Sequence, residues 1–246
     1  MCEKMISEVF NIDCLEYMRT LPDKAFELAI ADPPYGDALS ADNQINTPPP
    51  QYDKQYNRFG GRFDRYKSWR NVGCEVWKKI VAWDMAPPKE FFDELFRISR
   101  NQIIWGGNYF TLPPTRCFVV WRKLTISEVF TMAMAEYAWT SFQDNAKVFE
   151  CAPQGKKSDT RFHPTQKPVE LYAWLLKHYA KDGDRIFDPM MGSQSSRIAA
   201  YKLGFDYVGC ELDKEYFAKG CERFERECKG IIKAENGKTY QQTSLF

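Results

Sequence analysis

Short apolar runs separated by polar, proline-rich or glycine-rich punctuation set the layout of the chain. Glu8, Val9, Phe10, Asn11 and Ile12 alternate as a strand does, and Asp13, Cys14, Leu15 and Glu16 then open a short helix that ends near Leu21, Pro22 and Asp23. Leu28, Ala29, Ile30 and Ala31 are wholly apolar, the pattern of a central strand buried on both faces. Asp32, Pro33, Pro34, Tyr35 and Gly36 follow at once, and a proline pair cannot continue a ladder, so Asp32 and Tyr35 stand at the carboxyl end of that strand. Pro87, Pro88 and Lys89 start a helix to about Ser99, with Phe91, Phe92, Leu95 and Phe96 on its inner face. Gln102 to Trp105, Cys117 to Trp121 and Ala133 to Trp139 read as further strands, the last two as an antiparallel pair. Lys147 to Phe162 reads as a loop, and Val169 to Lys181 as a helix behind Pro168.

The final third is built on one strand-turn-helix-strand unit. Asp184 to Phe187 is a strand ending in Asp188, Pro189, Met190, Met191, Gly192 and Ser193, with a helix through Arg197 to Leu203 and a second strand, Tyr207 to Cys210, ending in Glu211. Strand, small-residue turn, helix and an acid about twenty residues on is the arrangement that binds a nucleoside-type ligand: the helix start approaches it and the acid takes both ribose hydroxyls. A charged helix, Lys219 to Lys229, precedes a polar tail. Strands alternating with helices predict an α/β fold with a mostly parallel sheet, whose carboxyl edge gathers Asp13, Asp32, Asp188 and Glu211.

Composition narrows the classes. The 246 residues suffice for one sizeable α/β domain, and 44% apolar content supports a core. A formal net charge of +1 gives no global field toward nucleic acid, so any basic surface is local. The eight cysteines contain no paired Cys-x-x-Cys and the two histidines no ligand spacing, which fits reduced thiols in a cytoplasmic protein and implies no metal. No apolar stretch has membrane length.

Individual groups suggest chemistry. A carboxylate, prolyl carbonyls and an aromatic ring, as Asp32 to Tyr35 provide, suit a planar base with an exocyclic amine: two acceptors for its hydrogens and a face to stack on. Asp13 fits a helix N-cap or a ligand acceptor. Thr165 and Lys167, ahead of a helix amino terminus, suit a carboxylate. No lysine follows the Gly192 turn as an NTPase would require. Between Gln51 and Arg70, six basic residues (Lys54, Arg58, Arg62, Arg65, Lys67, Arg70) interleave with aromatics at spacings of three and four. That segment is either an amphipathic helix packing its rings inward or a phosphate-neutralising, base-stacking element. Gln242, Thr243, Ser244, Leu245 and Phe246 end a polar tail in two apolar residues, which either pack back on the protein or dock elsewhere.

Asp32 to Tyr35 resembles the catalytic motif of the DNA amino methyltransferases, which act on adenine N6 or cytosine N4. His163 to Pro168 is similar to that family's motif ahead of the donor site, Asp188 to Ser193 to its donor loop, and Glu211 to its ribose acid. Their order, catalytic motif first and donor motifs last, resembles the circularly permuted beta class of bacteria and phages. The resemblance implies a doubly wound Rossmann-like sheet, mostly parallel with an antiparallel edge strand and helices on both faces. It further implies S-adenosylmethionine as donor, Asp32, Pro33, Pro34 and Tyr35 as catalytic residues, and Asp13, Thr165, Lys167, Asp188, Pro189, Gly192, Ser193 and Glu211 as cofactor-binding residues, Asp13 beside the donor adenine.

The implied activity is site-specific methylation of adenine N6 in double-stranded DNA, by direct in-line transfer to a flipped base, in a restriction-modification setting. Cytosine N4, a structured RNA, or a catalytically silent DNA-binding or clamp-tethered protein are the alternatives. Residues 1–235 form one domain in this reading, with candidate recognition inserts at 37–75 and 122–162 and a flexible tail at 236–246. Gln242, Leu245 and Phe246 resemble the peptide that docks on the bacterial sliding clamp, and so compact an enzyme would gain DNA coverage as a homodimer. One departure stands out: Gln194 occupies the place of a second glycine after Ser193.

Overall fold

A computed structural model of the protein describes residues 5–36, 85–127, 133–155, 161–233 and 239–241. The basic residues between Lys54 and Arg70 and the terminal Gln242, Leu245 and Phe246 lie outside the described residues. Two compact units divide the chain: residues 1–32 with 89–246, and residues 33–88. In the second, Gly36 takes φ +74°, and a Cβ on it would stand 2.9 Å from the Ala86 amide, so the chain entering that unit lies against the chain leaving it.

The first unit is built on a sheet of eight strands: β1 (Ser7–Phe10), β2 (Phe26–Ala31), β3 (Ser99–Trp105), β4 (Phe118–Lys123), β5 (Ala135–Thr140), β6 (Lys147–Cys151), β7 (Arg185–Asp188) and β8 (Asp206–Cys210). Their spatial order is β1-β8-β7-β2-β3-β5-β4-β6. Every neighbouring pair is parallel except those of β5, which runs antiparallel to both β3 and β4. The expected antiparallel pair of β4 and β5 is thus present, and β6 carries the sheet beyond it, leaving the antiparallel strand inside. Strand β6 falls in a stretch whose polar residues read as loop. Its alternation is real but muted: Val148 and Glu150 face solvent while Lys147, Phe149 and Cys151 turn inward.

Helices cover both faces. Alternate residues of β2 point opposite ways, Leu28 and Ile30 into one core and Ala29 and Ala31 into the other. The first core is roofed by α3 (Val169–Tyr179) and α4 (Ser195–Leu203), through Leu171, Leu175, Ala199 and Ala200. The second is roofed by α1 (Cys14–Arg19) and α2 (Lys89–Ile98), through Met18, Phe91, Leu95 and Ile98. In α2 the fully buried set is Phe91, Phe92, Leu95 and Ile98, on the i, i+4, i+7 period, while Phe96 is half-buried and packs against the same core with its ring 5.8 Å from that of Trp139. Helix α5 (Lys214–Lys229) is capped by Asp213, which accepts from the Glu215 and Tyr216 amides at 2.8 and 3.0 Å, and begins five residues before the expected start at Lys219. Within the stretch read as tail, β10 (Thr239–Gln241) pairs antiparallel with β9 (Ile231–Lys233).

Strand order places the functional edge. From β7 the chain crosses through α4 to β8 on one side, whereas β2 leads on to β3 on the other. The connections therefore diverge between β7 and β2, and a crevice opens above their carboxyl ends. No helix among the described residues is long and apolar enough to cross a membrane.

Candidate active site

Four acids arrive at that edge because each ends a parallel strand or starts the helix behind it. Asp13 follows β1 and caps α1, accepting from the Leu15 and Glu16 amides at 2.8 and 3.1 Å. Its N-cap role is therefore established, and a ligand could take only its remaining lone pairs. Asp32 follows β2, Asp188 ends β7 and Glu211 follows β8. Burial pushes the Asp188 carboxyl up to about 7, with the negative charges of Asp32 and Glu211 adding to the rise against hydrogen bonds from the Ser196 hydroxyl and Met190 amide. Those two donors lie 2.5 and 3.0 Å away. Burial likewise raises the Glu211 carboxyl. Asp188 and Glu211, both raised at one edge, mark a place short of positive charge, and a cationic ligand would relieve it.

The turn after β7 shapes the other wall. Gly192 takes φ +46°, and a Cβ there would stand 3.2 Å from His163 Nε2, so the turn passes against the imidazole only because the residue is glycine. Its amide donates to Glu211 Oε2 at 2.9 Å while the Asp213 amide donates to Oε1 at 2.8 Å, which fixes the carboxylate and leaves each oxygen a further lone pair. That donor set fits a ribose diol. His163, edge-on to Tyr216 with centroids 4.3 Å apart, is lowered to about 4 by burial and by Lys167, so it is neutral near pH 7. Pro189 and Ser193 are buried in the turn, and Arg223, buried in α5, donates to the Ser193 carbonyl at 3.1 Å and the Ser195 hydroxyl at 2.8 Å.

Gln194 does not block the helix start. Its backbone is left-handed at φ +60°, as a glycine's would be, and its fully buried side chain turns away into the contact of α4 with α5. There it accepts from Arg197 Nη1 at 2.9 Å and donates to the Phe217 carbonyl at 3.3 Å. Gly220 makes the room, since a Cβ on it would stand 2.7 Å from Gln194 Cγ.

Sequence-predicted residues sort unevenly. Asp13, Asp32, Asp188, Pro189, Gly192, Ser193 and Glu211 share one edge of the first unit. Thr165 is exposed, its hydroxyl 3.3 Å from His163 Nδ1. Lys167 is drawn away from the start of α3: its Nζ is 2.5 Å from Asp32 Oδ2 and 3.1 Å from Glu136 Oε2, with the Trp105 ring 5.3 Å off. Pro33, Pro34 and Tyr35 belong to the second unit. Lys123 and Glu136, whose Nζ and Oε1 lie 2.5 Å apart, escape a sequence reading. Their signal is period two: Val119, Trp121 and Lys123 share one face of β4, and Glu136, Ala138 and Thr140 one face of β5.

Residues 44–221 match the N6/N4 family model described as DNA methylase. The Type II methyltransferase M2.MboI of Moraxella bovis is 24% identical over 264 residues, covering 92% of this chain and 91% of its own. Among solved structures, the cytosine-N4-specific PvuII DNA methyltransferase superposes with a TM-score of 0.55 at 11% identity, covering 95% of each chain. A DNA modification methylase of Thermus thermophilus, complexed with S-adenosyl-L-methionine, gives 0.50 at 18% identity, covering 92% of this chain and 97% of that one. At such identities the structural likeness speaks for the fold alone.

Proposed function

The chain belongs to the N6/N4 DNA methylase family, and from that premise we propose that it methylates the N6 amino group of adenine in DNA. The observation that carries the reading is the meeting of Asp32 and Asp188 across the point where the strand connections diverge, with Glu211 behind them. S-Adenosylmethionine, when bound, supplies an electrophilic methyl group on a positively charged sulfur.

Glu211 receives the ribose hydroxyls on its free lone pairs, the Gly192 turn lets the ligand approach the start of α4, and Asp188 contributes the countercharge. An aromatic amine is a weak nucleophile because its lone pair is shared with the ring. Asp32, held by Lys167, accepts one amino hydrogen, and a prolyl carbonyl of the motif that follows accepts the second. The nitrogen then aims its lone pair at the methyl carbon, and positioning supplies most of the acceleration without a covalent intermediate. A base in a duplex must leave the stack to reach Asp32, and Tyr35 offers a stacking face. Asp rather than another acceptor at the head of the motif favours adenine.

The test is transfer of labelled methyl from S-adenosylmethionine to mixed-sequence duplex DNA, with nucleoside digestion and Asp32→Ala as control. N6-methyladenine that falls on the order of 10³-fold in the variant, while donor binding persists, is the expected result. Label on cytosine N4 would change the target base. No label on DNA with the donor still bound would overturn the reading.

A further inference from the structure

Asp32, Lys167, Glu136 and Lys123 form a row of alternating charges that runs from the crevice into the sheet. The successive contacts are 2.5, 3.1 and 2.5 Å. The lysine side chains are 4% and 6% exposed, the Asp32 and Glu136 side chains 15% and 21%. Two acidic and two basic groups alternate, which offsets the cost of burying them together. Lys167 is shared between two carboxylates, so what holds it on one side sets its pull on the other. We propose that Glu136 and Lys123, on β5 and β4, are positioning residues that act through Lys167 to set the proton affinity and acceptor strength of Asp32. The inference rests on the reading of Asp32 as the acceptor of the target amine, and deepens it.

The geometry makes the pair more than a structural rivet. Glu136 Oε1 takes Lys123, while Oε2 meets Lys167 by charge without a hydrogen bond of its own, so this contact can tighten or slacken without breaking the other. Burial would raise the Glu136 carboxyl, but Lys167 and Lys123 together bring it down to about 2, so it is ionised near pH 7. Among the described residues, Asp188, itself raised further by Glu211, also bears on Asp32, and Lys167 also bears on His163.

Opposite signs distinguish this role from simple support. Glu136→Gln removes a negative charge that competes for Lys167, so the Asp32 pKa falls. Lys123→Met gives Glu136 wholly to Lys167, which loosens its hold, so the Asp32 pKa rises. Each displacement is expected to be about one pH unit, from a unit charge removed at two contacts' distance.

The Asp32 carboxyl is followed by carbon-13 NMR of aspartate-labelled protein, assigned with Asp32→Asn, and by the acidic limb of the kcat profile for methyl transfer. Circular dichroism checks each fold. In a Lys167→Met background both NMR displacements should shrink by at least half. Displacements that vanish, share one sign or persist undiminished without Lys167 would overturn the proposal. NMR needs no turnover, so absent transfer with opposed pKa shifts would sink the methylation reading alone.

Discussion

Asp188→Asn should make the donor-free protein more stable in mildly alkaline solution and leave it nearly unchanged in acid. The carboxyl of Asp188 sits at about 7 in the fold against an ordinary value of 3.8, chiefly because it is buried, with Asp32 and Glu211 nearby. A raised carboxyl means that the folded chain binds the proton more tightly than the unfolded one. Between these two values stability therefore falls as pH rises. The contribution is full below the unfolded value and gone above about 7. At 1.36 kcal/mol per unit, the interval from pH 5 to 8 is worth roughly 3 kcal/mol, to order of magnitude.

Asparagine keeps an oxygen that can accept from the Ser196 hydroxyl or the Met190 amide, and carries no charge to bury. Urea unfolding of the two proteins from pH 5 to 8, without donor, is the assay, and the difference between them should open by that amount toward pH 8. Parallel curves would refute the reasoning, since they would mean that Asp188 ionises in the fold as freely as in the unfolded chain. S-Adenosylmethionine should bind the wild type more tightly as pH rises toward 8, because the ionised carboxylate meets a cation, and Asp188→Asn should flatten that dependence.

Two further substitutions probe the turn. Gly192→Ala places a Cβ 3.2 Å from His163 Nε2 at φ +46°, and the combined strain should cost about 1 to 2 kcal/mol in urea and weaken donor binding about tenfold by calorimetry. Undiminished affinity would show that the turn does not touch the donor. Gln194→Gly relieves a left-handed backbone worth about 1 kcal/mol but removes the acceptor of Arg197 Nη1 and opens a cavity beside Gly220, so the protein should lose about 2 kcal/mol net; a gain in stability would contradict the account of that side chain.

What the sequence makes legible is what lies within a few residues. The apolar run before Asp32, the capping aspartates and the strand-turn-helix around Gly192 each carry their own signal, and those signals place the acids at one edge. Contacts across the chain are another matter. Lys167 meets Asp32 across 135 positions, and a lysine just before a helix reads locally as a site for a carboxylate ligand. Period two in β4 and β5 marks Lys123 and Glu136 as inward, but only strand pairing, which sets Glu136 opposite Trp121, reveals that Lys123 lies diagonally within reach of it. Strand β6 hides for a similar reason: polar residues at its ends mask an alternation that pairing with β4 makes plain.

Gln194 shows why a departure from a motif cannot be judged by itself. A glycine at that position would answer two demands, a left-handed backbone and an unobstructed helix start. Here the backbone demand is met at a cost of about 1 kcal/mol, and the second by turning the side chain out of the crevice. That solution needs Gly220 to be without a Cβ and Arg197 to supply a donor, both supplied by helices packed against each other. The variation at 194 and the glycine at 220 are therefore one feature, and replacing either alone should expose the other.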